Sequence, residues 1–122
     1  MYPLEDRTYE FSKSVVFACK KIPQNNINKN IINQLIRSAT SVGANYCEAN
    51  GAISRSHFRN KIHICKKEAQ ESHYWLKLLG DCVEPESSEI ERLILESKEL
   101  TLIFGKIIST MKTSKGKFNN KK

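Results

Sequence analysis

Cys47 and Glu48 lie side by side in the stretch TSVGANYCEANG, Thr40 to Gly51. A thiol, a carboxylate and two glycines among small residues are the materials of a nucleophile site or a phosphate-cradling loop. A thiol nucleophile needs a nearby base. His63 and His73 are the available partners for Cys47 or Cys65, but the cysteines fall on or beside core-facing rows, where a thiol is inert. Gly43 and Gly51 fit neither GxGxxG nor a Walker A loop. Glu48, Glu68 and Glu71 offer carboxylates for a metal. A di-iron bundle, however, also needs Glu-x-x-His pairs, and no glutamate here has histidine three residues later. Glu68-x-x-Glu71 therefore reads as a structural or interfacial pair. Helical ribonucleases of the HEPN group place an arginine and a histidine at a set spacing. Three residues separate Arg59 from His63 and seven separate Arg55 from His63; the first gap is too short and the second too long. No catalytic residue, metal or cofactor is expected, and the chain reads as a non-enzyme.

The elements that position these residues are helices. A chain of 122 residues with 5 glycines and 3 prolines favours long helices in one domain. Phe11, Val15, Ala18, Cys19 and Ile22 share one helical face, and Pro23 ends that helix before a polar loop, NNINKN. Ile32, Leu35, Ala39, Val42, Tyr46, Ala49 and Ile53 then alternate steps of three and four, the mark of a heptad seam. Phe58, Ile62, Cys65, Ala69, Ser72, Leu76 and Leu79 repeat it, as do Ile90, Leu93, Ser97, Leu100, Phe104, Ile107 and Met111. Ser54 or Ser56 caps the third helix, Gly51 closes the second, and Ser88 with Glu91 fits a capping box. The expected fold is all-α: an up-down-up-down, left-handed antiparallel four-helix bundle over 1–112, with helices about 5–22, 29–51, 55–82 and 88–112. A basic, disordered tail over 113–122 follows. The four cysteines read as buried free thiols.

On this reading the opening stretch is the middle and end of the second helix. Gly43 and its small neighbours let another helix approach closely. Cys47 is a packed thiol. Asn45 and Glu48 lie near partly buried surface, with Arg37 or Arg55 as candidate partners for the carboxylate.

Charge is unevenly spread. The net charge is +7. Ten Lys or Arg residues and one acid, Glu48, lie between Phe11 and Lys67, acids dominate from Glu68 to Glu99, and five lysines follow from Lys112. A basic surface of this kind attracts polyanions, or it serves solubility alone. On the third helix Arg59, Lys66 and Lys77 align beside the core stripe, with Lys67 and His63 next to them and Arg55 at the helix start. These five cations, Arg55, Arg59, Lys66, Lys67 and Lys77, are the expected nucleic-acid contacts, gripping phosphates without reading sequence. A second row, Ile64, Glu68, Glu71, Trp75, Leu78 and Cys82, and flanking Ile94, Ile103 and Ile108 widen the apolar arc. A homo-oligomer would cover it; a broad single core with Trp75 at its edge is the alternative. No apolar run is long enough to span a membrane, and the N-terminus has no signal-peptide pattern, so a cytoplasmic protein is expected.

The segment Ile32–Leu79 resembles the 23S rRNA intervening-sequence proteins, also called S23. Their pattern Q-x-x-R-[SA]-x-x-S-[VI]-x-x-N-x-x-E corresponds to Gln34, Arg37, Ser38, Ser41, Val42, Asn45 and Glu48. Ser54, Arg55 and Phe58 follow, then Glu68, Ala69, Glu71, Ser72, Tyr74, Trp75 and Leu76. The resemblance covers about residues 5–112 and departs from the pattern at Ala49-Asn50-Gly51. It implies a left-handed four-helix bundle, often a homopentamer around a channel. A related branch, the accessory variability determinant of diversity-generating retroelements, binds nucleic acid and a reverse transcriptase. Arg37, Asn45, Glu48, Glu71 and Trp75 are then structural or interface residues. Two functional expectations stand: an RNA- or DNA-binding accessory factor, or a protein-interaction scaffold, for example a reverse-transcriptase partner.

Overall fold

The computed structural model describes residues 3–83 and 87–113. They form four helices, α1 (Leu4–Lys20), α2 (Asn26–Asn50), α3 (Arg55–Cys82) and α4 (Ser88–Thr113), with no strand among the described residues. Consecutive helices run antiparallel, and cross-helix contacts give the register. Ser12 Oγ of α1 donates to Ala39 O of α2 at 3.1 Å. Cys65 Sγ of α3 donates to Val42 O of α2 at 3.5 Å. His73 of α3 meets Ser97 of α4 at 3.1 Å. Arg7 of α1 meets Glu96 of α4 at 2.7 Å and closes the ring. The backbones of the diagonal pairs, α1 with α3 and α2 with α4, stay more than 8 Å apart at Cα among the described residues, and the Tyr46 and Phe104 rings of α2 and α4 meet across the core at 6.1 Å. This is the up-down-up-down bundle that the four seams imply.

Capping chemistry sets the helix ends. Asn25 Oδ1 accepts from Ile27 N at 3.0 Å and Asn28 N at 2.8 Å. The helix therefore starts at Asn26, inside the run expected to be loop, because a polar asparagine run supplies its own cap. Ser54 Oγ accepts from His57 N at 3.1 Å and opens α3. Ser87, not Ser88, caps α4: its Oγ accepts from Ile90 N at 3.2 Å. Ser88 is thus the first helical residue, and the Ser88–Glu91 box does not form. α1 ends at Lys20, before Ile22. The basic tail from 114 onward lies outside the described residues.

Phe11 and Phe104 are the largest fully buried side chains, joined by Leu35, Ile62, Leu76, Leu79 and Leu100. Each such side chain contributes about 1.5–3 kcal/mol of burial. Three seam expectations need correction. Ile53 is 97% exposed, because α2 has ended and Gly51 breaks the register. Ile108 rather than Ile107 is buried in the last turns of α4, because a 3.6-residue helix drifts from a strict heptad. Cys19 and Cys65 are buried, but Cys47 and Cys82 are exposed. Burial pushes the Cys19 thiol up to about 11 and the Cys65 thiol up to about 12.

Gly43 brings α1 and α2 together. A Cβ there would stand 3.4 Å from Thr8 O and 3.5 Å from Ser12 Oγ. Ser38 and Ser72, both fully buried, join α2 to α3 through a 3.0 Å hydroxyl pair. Trp75, Leu78 and Ile94 are half-buried and pack on the outside of the same core.

Candidate nucleic-acid interface on the third helix

One flank of α3 faces α4 and carries cations from Arg55 to Lys77. Arg55 starts the helix and donates from Nη2 to Met111 O at the far end of α4. Arg59 is half-buried one turn later. Lys66 lays its stem along α4, where a Cβ on Gly105 would sit 3.8 Å from Lys66 Cε. His73 sits seven residues beyond Lys66, and Lys77 one turn further on. Lys77 and His73 share an open groove with Lys98 of α4. Lys67 is exposed and stands one position round the helix from Lys66, pointing outward. Four of the five expected contacts, Arg55, Arg59, Lys66 and Lys77, therefore fall on one seam, and Lys67 lies beside it. Arg59, Lys66, Lys67, Lys77 and Lys98 have no carboxylate within 4.0 Å among the described residues.

The opposite flank of α3 faces α2 and is paired. Arg37 Nη1 meets Glu68 Oε1 at 3.3 Å and its Nη2 meets Glu71. Gln34 Oε1 accepts from Arg37 Nε at 3.3 Å, and Trp75 Nε1 donates to Glu71 Oε2 at 3.0 Å. Glu68 is 7% exposed, so a cation at its side offsets the cost of burying charge. Arg37 is long enough to cross from α2 to α3. Glu48 differs from expectation in two ways. Its side chain is 59% exposed, and its partner is Lys61 at 2.6 Å, not Arg37 or Arg55. The Lys61 ammonium draws the Glu48 carboxyl below its ordinary range. Asn45 donates back to Ser41 O at 2.8 Å, a bond within α2. The fourth seam is paired at Arg7 and Lys21, though not at Arg92, which lines it with no carboxylate within 4.0 Å among the described residues. Arg7 bridges Glu96 and Glu99, which raise its already high pKa, and Lys21 meets Glu89 at 3.6 Å.

His73 and Lys98 were not among the expected contacts. His73 was legible, since Arg59, Lys66 and His73 recur at seven-residue steps. Lys98 was not, because its place depends on the α3–α4 register. No group of three or more His, Cys, Asp or Glu side chains that could hold a metal occurs among the described residues.

The family model of the 23S rRNA-intervening sequence proteins matches residues 4–106, nearly the whole bundle. The chain belongs to this family. It is similar to a crystal structure of a protein of unknown function from the S23 ribosomal protein family of Bacteroides thetaiotaomicron. The two are 34% identical, with a TM-score of 0.74 over 87% of this chain and 98% of the other. No curated protein matches the chain. The structure gives the signature of the 23S rRNA-intervening sequence proteins a physical meaning here. Gln34, Arg37, Glu68, Glu71 and Trp75 form the polar clamp between α2 and α3, whereas the basic stripe on the other flank draws on Arg55 alone of the signature residues. No described helix is long and apolar enough to cross a membrane.

Proposed function

We propose that this member of the family is a non-enzymatic, oligomeric bundle that binds RNA or DNA through the α3–α4 seam as an accessory factor in the cytoplasm. The observation that carries this reading is the asymmetry of pairing. On the α2–α3 seam, and at Arg7 and Lys21 of the α1–α4 seam, cations meet carboxylates, while Arg59, Lys66, Lys77 and Lys98 have none within 4.0 Å among the described residues. Unmatched cations in a row are suited to a phosphate backbone, whose counterions they displace. Changing Arg59, Lys66 and Lys67 together to Glu is expected to abolish polyanion binding; retained binding would place the contacts elsewhere. A pentamer, supported by the family's habit, would scatter light as a species of about 70 kDa rather than the 14.0 kDa of one chain.

The second reading is a scaffold for a protein partner such as a reverse transcriptase. It is favoured by exposed Leu95 and Leu102, 67% and 65% exposed at a seven-residue step on α4, and by Tyr74, 60% exposed on α3. On this reading RNA binding would vanish at physiological salt, while a pull-down would return a protein.

A further inference from the structure

The groove between α3 and α4 holds an acceptor as well as cations. It has a volume of about 930 Å³, with His73, Lys77 and Lys98 on its walls and Ile90 and Ile94 beneath. His73 Nδ1 lies 3.2 Å from Ile94 O and 3.1 Å from Ser97 Oγ. Ser97 Oγ itself donates to Ile94 O at 2.8 Å. A carbonyl oxygen can only accept, and the serine proton is already directed to it, so Nδ1 carries the ring proton in these contacts. In the neutral form of the ring the lone pair is then on Nε2. That nitrogen has no hydrogen-bond partner among the described residues and is not sealed from solvent, and His73 lines the groove.

Two lysines and a fixed acceptor make a two-part site. A phosphodiester held between Lys77 and Lys98 supplies the negative charge. A neighbouring hydroxyl supplies the proton that Nε2 accepts. DNA has no such hydroxyl along its backbone, and RNA has one on each ribose, next to the phosphate. Asp81 lies at the end of the groove near Val83 and repels a backbone there. The strand is thereby directed along the seam toward Lys66 and Arg59.

Resting on the nucleic-acid reading above, we infer that the α3–α4 groove selects RNA over DNA, with His73 Nε2 accepting a hydrogen bond from a ribose 2′-hydroxyl while Lys77 and Lys98 hold the adjacent phosphate. The selectivity expected is roughly fivefold for each hydroxyl engaged, the equivalent of one ordinary hydrogen bond.

The test is fluorescence anisotropy on the full chain with oligo(U), oligo(dU) and 2′-O-methyl oligo(U) of equal length. Oligo(U) binds tighter than the other two, which lack the hydroxyl proton. His73→Asn keeps a donor at the Nδ1 position and so keeps the tie to Ile94 O, but it removes Nε2. In that variant the preference disappears, and oligo(U) and oligo(dU) bind alike. Lys77→Gln and Lys98→Gln weaken all three probes alike and leave the preference intact. Equal binding of oligo(U) and oligo(dU) by the wild type overturns the inference and leaves the nucleic-acid reading standing. Binding of none of the three overturns both. A preference that survives His73→Asn also overturns it.

Discussion

The α2–α3 and α3–α4 seams share one helix and use its two flanks in opposite ways. On the α2 side, Arg37 answers Glu68 and Glu71, Lys61 answers Glu48, and the Trp75 indole completes the clamp. On the α4 side Arg59, Lys66, Lys77 and Lys98 have no carboxylate within 4.0 Å among the described residues, and the cross-helix contacts run to backbone oxygens and a serine instead. The lesson concerns how to read a basic protein. Net charge counts both sets equally, but only the second has charge left over for a ligand. A paired cation is already part of the structure.

The largest effect on the bundle itself is expected at neither seam but at the α1–α2 approach, which serves as a reference. Gly43→Leu forces bulk against Thr8 O and Ser12 and should cost about 1–3 kcal/mol in urea unfolding, as overpacking does. Next, Arg37→Ala leaves Glu68 buried without its cation and should cost about 1–2 kcal/mol, discounted from a fully buried pair because Arg37 is itself exposed. Arg59→Ala, its counterpart across the helix, should weaken polyanion binding and lower the magnitude of the salt slope by about 1. Arg37→Ala should leave that slope alone. If the two variants swapped phenotypes, the division of α3 into a structural and a ligand-facing flank would fail.

The smallest effect is expected at Glu48. Its carboxyl is lowered in the folded state by Lys61, so the pair's contribution is present above the ordinary carboxylate range and lost as pH falls through the lowered value. Glu48→Gln should therefore match the wild type in strong acid and fall slightly below it at neutral pH. Because the carboxylate is exposed, the gap should be near the limit of detection and should close with added salt.

Much of this architecture was legible before any coordinates. The heptad steps located four helices and the residues of the core, because burial of one apolar stripe leaves a period that a sequence displays directly. The ends were less legible. Asn25 and Ser87 cap helices inside runs that also read as loops or as a neighbouring cap, since several adjacent residues had suitable side chains. Of the candidate site, the α3 stripe was visible because it lies on one helix. Its partner Lys98, the Arg37–Glu68–Glu71 clamp and the exposure of Glu48 and Cys47 all depend on which residues stand opposite across a seam. That is a matter of register between helices, and no single-helix periodicity contains it.

The most direct test of the central claim is the salt dependence of oligo(U) binding by two variants of equal charge. One removes three cations from the α3–α4 seam, Arg59→Gln, Lys66→Gln and Lys77→Gln. The other removes three exposed lysines from α1 and α2, Lys13→Gln, Lys20→Gln and Lys29→Gln. The account predicts that the seam variant loses about 2.1 from the magnitude of the slope of log K against log salt, about 0.7 for each of three phosphate contacts on a single strand, while the α1–α2 variant keeps the wild-type slope. Equal losses in the two variants, or no binding by the wild type, would contradict it.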